Sequence, residues 1–162
     1  MSQPPINNTS YFDILVNIVR PFFEENGVLL NFDKYNETVL AYQNMNTEKF
    51  NEVERLSIDF NAWAEYFSDL CNLTKKFYLD AETDKKKTFV ENSVKMDSNK
   101  VANGDRLASK EPEVILARKK RNAFQAFELA LEEKKDFACR CHHHCKATCG
   151  WLNANYENKS IK

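Results

Sequence analysis

One run of residues constrains this chain more than any other. Val53, Leu56, Phe60, Trp63, Phe67, Leu70, Thr74, Phe77 and Ala81 follow one another in alternating steps of three and four. Eight of these nine positions are apolar, and a 3.5-residue apolar period describes a coiled-coil seam about four heptads long. Glu54, Asn61, Glu65, Ser68, Asn72 and Lys75 fall on the opposite side, where water-facing positions belong. With Thr47 and Glu48 at its start, a helix over residues 47–82 would be a rod on the order of 50 Å long. Such a rod cannot cover its own stripe, so it needs a partner helix in the same chain, in another copy, or in both.

The rest of the 162 residues supports a helical answer. Only 3 Gly and 4 Pro occur, too few for sandwiches, propellers or Gly-loop nucleotide folds. Hydrophobic residues at 43% are enough to bury a core. Residues 83–111 are polar and basic and read as a connector. Pro112 then suits the first turn of a return helix, with Glu111 and Glu113 complementing its positive end. Leu116, Ala117, Phe124, Phe127, Leu131, Ala138, Cys141, Cys145, Cys149 and Leu152 fall roughly on one face of it, and Gly150 and Trp151 suggest its end. The expected fold is mostly α: a long antiparallel helical hairpin over 47–152 with a small N-terminal extension (1–46) and a polar tail (153–162).

The extension is ambiguous. Ser10 can cap a short helix through Arg20, and Pro21 can open a second one that Gly27 ends. Val28–Phe32 and Thr38–Tyr42 fit either a small β-hairpin or further helical turns.

Charge is distributed unevenly behind a formal net of −1. Residues 1–74 hold 4 Lys/Arg against 11 Asp/Glu, whereas residues 75–122 hold 13 against 8. Those thirteen are Lys75, Lys76, Lys85, Lys86, Lys87, Lys95, Lys100, Arg106, Lys110, Arg118, Lys119, Lys120 and Arg121. In a hairpin they converge near the bend, where clustered positive charge can hold phosphates without reading bases. The bland alternative is an ordinary solvated surface. The seam aromatics belong to the core; Tyr66 and Tyr78 lie off the seam and are the better candidates for base stacking.

Cys139-Arg-Cys-His-His-His-Cys-Lys-Ala-Thr-Cys149 is the most chemically suggestive stretch. Cys141 and Cys145 at i, i+4, with His142 or His144, could chelate zinc, but the paired knuckles of a zinc finger are missing. Core packing of these cysteines is the favoured reading, with a metal- or redox-responsive role third after an adaptor role. His144 and Cys145 are adjacent and point about 100° apart, so they do not form a nucleophile–base pair. No phosphate loop or oxyanion turn accompanies them, and no enzymatic activity is expected. The N-terminus lacks a secretory pattern, no stretch reaches a membrane span, and the clustered cysteines form no disulfide framework, so reduced cytoplasm is expected.

The long helix marked by Leu, Phe, Trp and Tyr, the Lys-rich connector, and the return helix rich in Lys, Arg and Glu together resemble the UvsY-like proteins, small helical recombination mediators of tailed phages. Most of the likeness sits in Lys100-Val-Ala-Asn-Gly-Asp-Arg-Leu-Ala-Ser-Lys-Glu-Pro-Glu-Val-Ile-Leu-Ala-Arg-Lys-Lys-Arg-Asn122 and continues through Leu131-Glu-Glu-Lys-Lys-Asp136. It covers about residues 47–150 and leaves the first 46 aside. The resemblance implies a non-catalytic homo-oligomer of helical hairpins in the host-cell cytoplasm. Such a protein binds single-stranded DNA and loads a recombinase onto DNA covered by single-strand-binding protein. The connector lysines and the 118–121 cluster would be its DNA contacts. The competing expectation is a structural or adaptor protein, a virion component or host-protein binder, assembled through the same coiled coil.

Overall fold

The computed structural model describes residues 10–96 and 101–160. Its helices are α1 (Tyr11–Glu25), α2 (Asp33–Gln43), α3 (Phe50–Met96), α4 (Val101–Ala108) and α5 (Pro112–Ser160). They account for 88% of the described residues, among which there is no strand. The mostly-α hairpin is therefore the fold, with α3 and α5 as its two long arms. The chain divides into two compact units, and both arms contribute to each.

The first unit combines Met1–Leu30 with Asn72–Ala130. Here the second half of α3 runs antiparallel to the start of α5, and α1 covers the pair. Ser10 caps α1 through a reciprocal capping box with Asp13. The inner face of α1, formed by Phe12, Leu15, Val16, Val19 and Phe23, is buried. Phe23 meets Phe77 edge-on at 5.1 Å and Phe127 at 5.7 Å, while Phe77 lies 5.6 Å from Phe124. These contacts tie α1, α3 and α5 into one apolar centre. At the far end of α3, Ser93 Oγ donates to Asp105 of α4, and Asn92 Nδ2 donates to Glu113 of α5 at 3.5 Å.

The second unit combines Asn31–Cys71 with Leu131–Lys162. The first half of α3 runs antiparallel to the end of α5, and α2 is the covering helix. Its core holds Val53, Leu56, Phe60, Ala138, Cys141 and Cys145. Tyr35 meets Phe67 at 4.9 Å, Tyr42 meets Phe60 at 5.3 Å, and Phe60 reaches Phe137 at 6.3 Å. Asn31 accepts from the backbone N–H of Asp33 and so supports the first turn of α2.

Seven of the nine seam positions are buried, with Trp63 and Phe77 half-buried. The partner that the seam requires lies within the chain: α1, α2 and α5 cover it. Most of the seam's side chains are thus enclosed within the chain itself. In the described part of the extension Pro21 lies inside a single α1 and Thr38–Tyr42 inside α2, whereas Val28–Phe32 is the irregular link between the two helices. α3 continues to Met96, well into the expected connector, where buried Asn92 and Ser93 reach Glu113 of α5 and Asp105 of α4. Gly150 does not end α5, which continues to Ser160. Leu116 stands 69% exposed, and Val114 takes the buried position at that turn.

Candidate nucleic-acid interface

All thirteen expected phosphate-binding residues belong to the first unit, and all but Lys100, which lies outside the described residues, are described. With Arg20 they give that unit 14 Lys/Arg against 12 Asp/Glu; the second unit has 9 against 12. Lys75, Lys76, Lys86, Lys87, Lys95, Arg106, Lys110, Arg118 and Lys119 are exposed. Lys85, Lys120 and Arg121 are half-buried, because each lies against a neighbour.

Glu82 accounts for two of those three. Its carboxylate accepts from Lys85 Nζ at 2.8 Å, lies 3.7 Å from Lys86 Nζ, and stands 3.2 Å from Arg121 Nε. The Lys85 hydrogen bond, helped by the charges of Lys85, Arg121 and Lys86, holds the Glu82 carboxyl below its ordinary 4.5. One acid on α3 thus stands between Lys85 and Lys86 of its own helix and Arg121 of α5. The third residue, Lys120, places its ammonium 4.8 Å from the ring centre of Phe22. Arg121 also donates from Nη1 to Gln125 at 2.9 Å, and Arg106 donates from Nη2 to Asn103 at 3.2 Å.

The organising roles of Glu82 and Phe22 are not visible from the basic pattern alone. The i+3 and i+4 spacing from Glu82 to Lys85 and Lys86 is a local signal, whereas the approach of Arg121 depends on the hairpin register. Of the two tyrosines considered for stacking, Tyr66 sits among Phe32, Trp63 and Phe67 in the second unit. Burial raises its phenol above the ordinary 10. Its rings are thus committed to packing, and Tyr78 is half-buried.

The Cys/His stretch belongs to the core of the second unit. Cys141 and Cys145 are buried. Burial pushes the Cys145 thiol up to about 11 and raises Cys141 above its ordinary 9, partly offset by a hydrogen bond from Tyr42. His142 Nδ1 donates to the carbonyl oxygen of Ser57 at 2.9 Å, with Ser57 Oγ at 3.2 Å. His144 Nδ1 shares a hydrogen bond of 2.8 Å with the Tyr42 hydroxyl. Burial of Cys141 and Cys145 among Val53, Leu56 and Phe60 disfavours the thiolate form that zinc requires, and the Nδ1 atoms of His142 and His144 are turned to Ser57 and Tyr42. Among the described residues no group of three or more His, Cys, Asp or Glu side chains is placed to hold a metal ion.

Among the described residues, three shallow clefts open on the second unit. One, of about 1070 Å³, lies beside the start of α3 among Glu48, Lys49, Glu52, Arg55 and Asn153. The other two, of 470 and 380 Å³, flank α2 and have charged rims of both signs. Tyr35, buried and with its phenol pushed up to about 12 by that burial, lines the 470 Å³ cleft. No described helix is long and apolar enough to cross a membrane. No protein family, curated protein or solved structure matches the chain.

Proposed function

We propose that the protein binds single-stranded DNA through the Lys/Arg surface of its first unit. In this reading it is a non-catalytic accessory of phage recombination or replication. The observation that carries the binding reading is the bridge at Glu82, where Lys85 and Lys86 of α3 meet Arg121 of α5. Around this one paired acid, Lys87, Arg118 and Lys119 remain exposed and available to phosphates. Single-stranded DNA, and recombinase and single-strand-binding protein as partners, are carried by the resemblance to UvsY-like mediators. Binding of this kind reads charge spacing, so sequence preference is small and salt dependence large.

The test is a titration of a labelled single-stranded oligonucleotide, with a duplex control, across a salt series. Six phosphate contacts would give a log–log slope of roughly −4. Lys85→Glu, Lys86→Glu and Lys87→Glu together should abolish binding at moderate salt while helicity is unchanged. Equal affinity in wild type and triple variant would remove this surface from consideration, and preference for duplex would remove the mediator role.

A further inference from the structure

The outer face of α1 is apolar and uncovered. Tyr11, Ile14 and Ile18 are 66%, 47% and 49% exposed, and Pro21 continues the stripe. At about 100° per residue, these four fall within an arc of about 80°, beside the buried arc of Phe12, Leu15, Val16, Val19 and Phe23. The combined apolar arc of about 220° is roughly twice what one covered face requires. Asp13, Asn17, Arg20 and Glu24 are confined to the remaining side.

We propose that this face pairs with the α1 of a second copy, the two helices antiparallel about a two-fold axis through Ile18. The stripe itself argues for that occupant. Its positions are 11, 14, 18, 21 and 25, and Ile18 is the midpoint of the 15-residue helix. Reversing the helix about Ile18 sets Ile14 against Pro21 and Phe22 of the second copy, and Tyr11 against its Glu25. Glu25 is the one charge on the stripe. In this register it meets a phenolic hydroxyl that can donate to it, near the positive end of the opposing helix. A patch whose only charge is answered by its own far end is self-complementary, as an isologous contact must be. A parallel arrangement would set Glu25 against Glu25. The pairing uses α1, which lies outside the stretch that carries the resemblance, and it does not depend on nucleic-acid binding. With one helix per copy, the contact is at or below the ~1,200 Å² of small specific interfaces, so the dimer should be of micromolar strength.

Sedimentation velocity of the full chain from about 1 to 200 μM tests the pairing. The mass should rise with concentration from 18.9 kDa toward twice that value. Ile18→Asp should weaken association at least 10-fold with unchanged far-UV circular dichroism, since the side chain projects outward. Register is tested by oxidation under non-reducing conditions against a wild-type control, which accounts for the native cysteines. Ile18→Cys should cross-link to itself efficiently and Ile14→Cys should not. A mass fixed at 18.9 kDa throughout would overturn the proposal and leave the face to a different protein. So would a dimer that survives Ile18→Asp, or preferential self-linking at position 14.

Discussion

Arg121 Nε lies 3.2 Å from Glu82 Oε2, close enough for an ion pair, yet it is buried and makes no hydrogen bond. The carboxylate is aligned instead on Lys85 Nζ, which reaches both of its oxygens at 2.8 Å. Charge attraction without a directed bond is the weaker way to hold a guanidinium. Arg121 is therefore positioned beside Glu82 more by α5, and by its Gln125 contact, than by the acid itself.

Glu82→Gln should consequently leave the fold intact and raise affinity for single-stranded oligonucleotides several-fold, because three cations lose a competing anion. The salt slope should steepen at the same time. A filter-binding salt series on the two proteins would show it, and an unchanged slope would mean that these cations do not meet phosphate. Because the folded-state carboxyl is held below 4.5, what Glu82 adds to stability is present above that pH and is lost as pH falls through its lowered value.

At the alkaline end the sign reverses. Burial raises Cys145 from 9 to about 11 and Tyr35 from 10 to about 12, so the folded chain holds these protons more tightly than the unfolded chain does. Stability is whole below pH 9 and declines as pH rises through 9–11 and then 10–12. Melting curves from pH 8 to pH 11 should show Tm falling from about pH 9. Cys145→Ala should be less stable at pH 8 but lose less between pH 9 and 10; parallel profiles would refute this assignment.

Core and surface apolar residues should separate cleanly. Phe60→Ala, at a fully buried seam position between Tyr42 and Phe137, should cost about 3–5 kcal/mol in urea denaturation. Leu116→Ala, at an exposed position of α5, should change stability by no more than about 0.5 kcal/mol.

The two described glycines that carry a prediction act in opposite directions. Gly27 ends α1 with φ at +75°, so Gly27→Ala should cost about 1–2 kcal/mol although nothing lies near a new Cβ. Gly150 sits inside α5 with open space around it, so Gly150→Ala should stabilise by about 0.5–1 kcal/mol. Differential scanning calorimetry on the pair would detect Tm shifts of opposite sign.

The long helices were legible because Val53 through Ala81 keep one period over nine positions, and no local feature competes with that signal. Ser10 with Asp13 was equally local and correctly marks a helix start. What covers the seam was not legible, since Tyr35 and Phe23 carry no mark of the partners they meet. Gly150 was misread for a related reason. Glycine is compatible with a helix end, but Leu152 is buried beyond it, and that packing carries the helix through. The basic residues could be named from the sequence, but their grouping about Glu82 depends on a register between positions almost forty residues apart.

Each unit draws on two separated stretches of chain, so each waits during synthesis for its later stretch. Everything the first unit needs has been made once Ala130 is complete. The second unit pairs Asn31–Cys71 with a segment that begins only at Leu131. During that interval Val53, Leu56 and Phe60 wait without Ala138, Cys141 and Cys145, the residues that enclose them in the finished core. A nascent chain in this state displays an aromatic, apolar helix face to water. Slow translation of the segment that begins at Leu131 would prolong that exposure, and fast translation would shorten it.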